Sequence, residues 1–157
     1  MLAENTVLTG RRAITRSYAK INLTLDVLSK RENGYHDIKM IMQTVSLFDL
    51  ILVDKTHRGI SISTNLPYLP CNEKNIAYKA ADAFFKATGI RGGAKIVIHK
   101  NIPVAAGLAG GSGNCAAVLT AINMLHGNPL SNDELMHIGA SLGSDVPYCF
   151  DGGTQLA

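Results

Sequence analysis

The hydrophobic period of this chain changes halfway along it, and that change constrains the fold class more than any other feature. From Lys20, the apolar residues Ile21, Leu23, Leu25 and Val27 alternate with Asn22, Thr24 and Asp26, the period of two that marks a half-buried β-strand. Lys20 and Asn22 then point the same way, toward the polar side. Arg31-Glu32-Asn33-Gly34 supplies a turn, because Asn-Gly accepts the positive φ angles of a tight reversal. A second strand is expected from about Ile38 to Leu47, with shorter ones at Leu50 to Val53 and Ile60 to Ser63, before a proline-containing loop from Pro67 to Glu73. The first half reads as a meander.

Beyond that loop the period becomes helical. Ile76, Ala80, Phe84 and Ala87 recur at helix spacing and Gly89 is placed to stop the helix. Ala94 to His99 is a short strand-like run, and Asn114 to His126 is apolar almost all round, as a central buried helix would be. Ser131 with Glu134 forms a capping box that opens a further helix, which Gly143 ends, and Tyr148 to Ala157 reads as one more strand. Residues 1–12 have no clear period and are expected to be a poorly ordered lead-in, leaving 13–157 as one domain. Strands first and helices later predict an α+β fold, with helices on one side of a mixed, mainly antiparallel sheet.

Composition narrows the function. Of 157 residues, 46% are hydrophobic, and no apolar run approaches the roughly 18 residues that cross a bilayer. Fifteen Lys and Arg against 12 Asp and Glu give a charge of +3, with the basic residues scattered. That argues against nucleic acid or a membrane surface as partner and leaves anionic small molecules. The N-terminal residues lack the apolar core of a secretory signal, so a cytoplasmic location is expected. Cys71, Cys115 and Cys149 are odd in number and widely spaced, which suggests neither a disulfide framework nor a metal site.

The strongest chemical signal is Pro103-Val104-Ala105-Ala106-Gly107-Leu108-Ala109-Gly110-Gly111-Ser112-Gly113, running into the buried helix. Small residues let backbone amides approach a ligand, and a helix start adds unpaired N–H groups and partial positive charge, so the physics suits phosphate. It is not a Walker A loop, because Gly111 stands where that motif needs Lys. Gly111-Ser112-Gly113-Asn114-Cys115-Ala116 satisfies G-x-G-x-x-A with Asp133 downstream, yet it does not directly follow a strand, as a dinucleotide fingerprint would. Gly107-Leu108-Ala109-Gly110 matches a G-x-x-G without the flanking basic residues that clamp a nucleic-acid backbone. A lysine and an amide at Lys20 and Asn22 suit an anionic substrate or ordinary solvent exposure. Asp145, in Gly143-Ser144-Asp145-Val146-Pro147, suits a helix-stop turn or a base that accepts a proton from an alcohol.

Together, Ala19-Lys20-Ile21-Asn22-Leu23, Gly34-Tyr35-His36, the glycine-rich loop and Gly143-Ser144-Asp145-Val146-Pro147 resemble the GHMP kinase superfamily over nearly all of residues 14–157. The first two motifs are similar to its branch acting on a cytidine diphosphate derivative of methylerythritol, in the non-mevalonate route to isoprenoids. The resemblance implies a left-handed βαβ unit and ATP-dependent phosphorylation of an alcohol with Mg²⁺. It implies Lys20 and Asp145 as the catalytic pair, Asn22, Tyr35 and His36 at the substrate, and Pro103, Ala105, Ala106, Gly107, Leu108, Ala109, Gly110, Gly111 and Ser112 around ATP phosphates. The resemblance also implies Asn75 and Lys100 at the adenosine end. Gly113-Asn114-Cys115 departs from the family's pattern after Ser112: Gly113 is expected to loosen the first helical turn by up to about 1 kcal/mol relative to Ala, and Cys115 is a slightly larger core residue. In the family the Gly152 to Ala157 motif continues into a second domain, so the chain is expected to be a less active fragment that self-associates through an uncovered face. Another small-molecule kinase of this superfamily, or a nucleotide-binding module without turnover, remains open.

Overall fold

The computed structural model describes residues 2–30 and 36–156, with residues 29, 30 and 36–38 described by their backbone. The elements in order are β1 (Thr6–Thr9), β2 (Arg12–Lys30), β3 (His36–Thr56), β4 (Gly59–Thr64), α1 (Ile76–Thr88), β5 (Gly93–His99), α2 (Gly110–Leu125), α3 (Asn132–Leu142), α4 (Val146–Asp151) and β6 (Thr154–Leu156). The strands form one sheet in the order β1-β2-β3-β5-β4, with β6 pairing β3. Every pairing is antiparallel except β4 with β5, which are parallel and joined through α1. The α+β expectation holds. The expected turn at Arg31 to Gly34 lies outside the described residues.

Burial follows strand alternation on one face: Ile51 and Val53 of β3 and Ala94, Ile96 and Ile98 of β5 are buried, while Lys95 and His99 are exposed. The helices cover that face. Helix α2 lies against β2 and β3 and is surrounded by α1, α3 and α4. That explains why Gly113 to Asn123 is buried on every side. Asn75 caps α1 by accepting from the Ala77 N–H, and Gly89 ends it in the left-handed conformation. The buried stripe of α1 is Ala77, Ala80, Ala81 and Phe84, so Ala87 falls outside the expected face. Ser131 and Glu134 form the expected capping box at α3.

Four expectations are corrected. Residues 2–12 are not a loose lead-in: β1 pairs β2 from Thr6↔Thr15 to Thr9↔Arg12, and Leu2 is buried with its N–H donating to the Phe150 carbonyl. One buried leucine and one hairpin fix a segment too short to show a period. Leu50 to Val53 is not a separate strand but the end of β3, because the chain never turns after Leu47. Tyr148 to Phe150 lies in α4, which Pro147 opens in its first turn, where the missing N–H costs nothing. Gly152 and Gly153, both at positive φ, then turn the chain into the short β6. Finally, Ile21, Leu23, Leu25 and Val27 are exposed rather than half-buried. Register shifts between Asn22/Thr24 and Val27/Ser29 interrupt the regular alternation of this part of the hairpin.

Candidate functional site

The loop between β5 and α2 lines a cleft of about 500 Å³, a volume typical of small-ligand sites. Its backbone is left-handed at alternate residues: Ala105 at φ 58°, Gly107 at 74° and Ala109 at 56°. For an alanine this costs roughly 1–2 kcal/mol, a strain found where backbone is shaped around a ligand. Ala109 caps α2 with no side-chain acceptor, so the N–H groups of Gly110, Gly111 and Ser112 have no partner within the helix. All three residues line the cleft. The positive end of α2 therefore faces the space where an anion would sit. Pro103, Ala106 and Leu108 complete this wall.

Lys20 reaches the site through an irregularity in β2. The register shift between Tyr18 and Lys20 lets the neighbours Ala19 and Lys20 both turn inward, which a regular strand forbids. The Lys20 N–H leaves the ladder and donates to the Leu108 carbonyl at 3.1 Å, tying β2 to the loop. Its ammonium donates to Asn22 Oδ1 at 2.9 Å and lies 3.4 Å from Asp145 Oδ2. Lys20 and Asn22 share one side, as expected.

Asp145 precedes α4, yet its carboxylate makes no capping bond, although Asp is a favoured cap. It lines the cleft and is paired with Lys20. The plain helix-stop reading therefore does not account for it. The Cys149 thiol donates to the Asp145 carbonyl at 3.2 Å, and burial pushes that thiol up to about 12, so a neutral group stands behind Asp145.

Asn75 and Lys100 both line the cleft, but their polar atoms are engaged locally. Asn75 Oδ1 accepts from Ala77 N–H at 3.0 Å and its amide donates to the Pro70 carbonyl at 2.8 Å. The Lys100 ammonium is buried, paired with Asp49 and donating to Asn114 Oδ1 at 3.2 Å. Asp49 and Asn114 are site residues that sequence reasoning missed. The signal was a single carboxylate inside the apolar run Leu47 to Val53. His36 begins β3, its backbone paired with Lys30; Tyr35 lies outside the described residues. Gly113 is also explained: a Cβ there would stand 2.4 Å from Ser17 Oγ, so its cost in helix propensity accompanies a close approach of α2 to β2.

Among the described residues no cluster of three or more His, Cys, Asp or Glu is arranged to hold a metal, and no helix is long and apolar enough to cross a membrane. Residues 75–153 match the family described as GHMP kinases N terminal domain. A protein of Clostridium botulinum named 4-diphosphocytidyl-2-C-methyl-D-erythritol kinase is 51% identical over 141 residues, covering 90% of this chain and 50% of that protein. One of the same name from Caldicellulosiruptor saccharolyticus is 51% identical over 144 residues, covering 91% and 50%. The crystal structure of a 4-(cytidine 5'-diphospho)-2C-methyl-D-erythritol kinase superposes with a TM-score of 0.81 at 35% identity, over 92% of this chain and 51% of that one. A homoserine kinase from Cytophaga hutchinsonii, 21% identical over 96% of this chain and 49% of its own, shares the fold with a TM-score of 0.75. The chain spans about half the length of the curated relatives it matches.

Proposed function

This chain belongs to the GHMP kinase N-terminal domain family, and from that premise we propose that it serves ATP-dependent phosphorylation of the hydroxyl of 4-diphosphocytidyl-2-C-methyl-D-erythritol, a step toward isoprenoids. The observation that carries the reading is the Lys20–Asp145 pair, 3.4 Å apart beside a cleft lined by backbone N–H groups. In this reading the Asp145 carboxylate takes the proton from the substrate hydroxyl. The hydroxyl oxygen forms a bond to the γ-phosphorus while the bond to the bridging oxygen breaks, and ADP carries that electron pair away. Lys20 offsets negative charge on the transferring group, and Asn22 holds the ammonium in position while presenting its amide to the substrate. The loop from Pro103 to Ser112 receives the phosphates through backbone N–H groups. Such chemistry asks mainly for orientation and preorganised charge.

The donor set suits Mg²⁺ held largely by phosphate oxygens and water, with the Ser112 hydroxyl among the oxygen side chains lining the cleft; when bound, the ion would supply charge neutralisation on the phosphates. Tyr35 and His36 are assigned to the cytidine base, and Asn75 to the adenosine end. A cytoplasmic location, no nucleic-acid or membrane partner, and self-association through an uncovered apolar face belong to the same reading. The test is a coupled assay of ADP release with ATP and the cytidine diphosphate substrate. Release that requires that substrate supports the reading; ATP binding without any release favours a nucleotide-binding module.

A further inference from the structure

Asp49 is fully buried in β3 and receives four hydrogen bonds from the segments that build the cradle. Its Oδ1 accepts from the backbone N–H of Asn101 at 2.8 Å and of Ile102 at 2.9 Å, where the loop leaves β5. Its Oδ2 accepts from Asn114 Nδ2 at 2.8 Å and from the Lys100 ammonium. Lys100 donates in turn to Asn114 Oδ1 at 3.2 Å, closing a triangle among β3, the end of β5 and the second turn of α2. The Lys100 ammonium also lies 3.0 Å from where a Cβ on Gly110 would stand, directly beneath the first turn of α2. One carboxylate thus ties both ends of the glycine-rich loop to the same strand.

The geometry points to Asp49 as a positioning residue: it sets where the N–H groups of Gly110, Gly111 and Ser112 stand relative to the phosphates. This rests on the nucleotide reading above. The role is positional. An isolated buried ion pair is weak support for stability, because desolvation offsets the attraction. Four bonds from two segments, residues 100–102 and Asn114 of α2, converging on one carboxylate instead reduce the freedom of a loop that no side chain caps.

The test is titration calorimetry of the whole chain with ATP and with adenosine, for Asp49→Asn and for the pair Asp49→Asn/Lys100→Met. The single change keeps an oxygen for the two loop N–H groups but turns an amide N–H toward the Lys100 ammonium, driving it from beneath Gly110. ATP affinity should fall at least about tenfold and adenosine affinity stay within about twofold, because only the phosphate cradle is displaced. A merely structural defect would lower both alike. In the pair no buried charge is left, and the new amide donates to the Asn114 carbonyl oxygen, which retains the tie between β3 and α2. ATP affinity should then recover at least about threefold over the single variant. Parental ATP affinity in Asp49→Asn would overturn the inference. So would a pair that melts like the parent yet binds ATP as weakly as the single variant; if the single variant does not fold, Asn114→Ala, which cuts the tie from α2 to Asp49, takes its place, with ATP affinity at least about threefold lower and adenosine affinity within about twofold expected, and parental ATP affinity overturning the inference. A parent chain that binds no ATP would instead remove the nucleotide reading, and with it this inference.

Discussion

The Lys20 ammonium lies 3.4 Å from the Asp145 carboxylate, one supplied by a register shift in β2 and the other by the turn between α3 and α4. Lys20 has turned inward from the strand, its ammonium steadied by Asn22 two residues on, and Asp145 does not cap its helix. Replacing Lys20 by Met removes the cation while keeping the buried stem. Turnover should fall by at least about 100-fold, the scale of losing one preorganised charge at a transferring group. ATP affinity, read by titration, should change little. An equal loss of both would mean that Lys20 supports the loop through packing alone.

Gly110 is the position where close approach is most demanding at the cleft. A Cβ there would meet Ile102 Cγ2 and Lys100 Nζ, each at 3.0 Å. Gly110→Val should weaken ATP binding at least about tenfold, because the branched side chain both displaces Lys100 and covers an N–H group of the helix start. The circular dichroism spectrum should remain that of the parent. Unchanged ATP titration would count against the cradle.

Gly113 and Ser17 exchange volume across the contact between α2 and β2. A Cβ on Gly113 would stand 2.4 Å from Ser17 Oγ, a buried hydroxyl with no hydrogen-bond partner. Gly113→Ala should therefore destabilise by about 1–3 kcal/mol despite the better helix former, since overpacking outweighs propensity. Adding Ser17→Ala removes both the obstruction and the unsatisfied hydroxyl, and should bring the double variant to or above parental stability. Thermal melts of the four proteins give the coupling directly; additive effects would refute it.

Cysteine reactivity should separate by burial. Burial pushes the Cys115 and Cys149 thiols up to about 12, whereas Cys71 is exposed. A raised pKa keeps the neutral thiol dominant below that value, so at about pH 8 neither buried sulfur offers much thiolate for alkylation. Mass spectrometry after brief iodoacetamide treatment should find one adduct, on Cys71, and three only after denaturation. Rapid labelling of Cys149 in the folded chain would show that the wall behind Asp145 opens.

The parts of this fold that could be read from sequence were those where one local rule acted alone. The Ser131–Glu134 box and the Gly89 stop depend on residues within one turn, and the all-round apolar stretch of α2 admits few alternatives to a buried helix. Where tertiary contacts decide, local pattern failed. Residues 2–12 are fixed by Leu2 reaching Phe150 and by pairing with β2. Tyr148 to Phe150 carries strand-favouring aromatics but becomes helical, because Val146, Tyr148 and Phe150 are all buried there. At the cleft, the glycine-rich loop was visible as composition, but its last residues, Gly110 to Gly113, form the first turn of α2 instead of preceding the helix. Asp49 showed only as a lone carboxylate in an apolar run, because its partners Lys100, Asn101, Ile102 and Asn114 are far along the chain and meet it only through the pairing of β3 with β5 and the packing of α2 on the sheet.

The most direct test of the central claim is ADP release by the parent and by Asp145→Asn, with ATP and 4-diphosphocytidyl-2-C-methyl-D-erythritol supplied together and separately. The account predicts that release requires both substrates, and that Asp145→Asn lowers kcat by at least about 100-fold, the usual scale of losing a general base, while leaving ATP affinity intact. A variant that keeps more than half of the parental kcat, or parental release that is indifferent to the cytidine substrate, would contradict it.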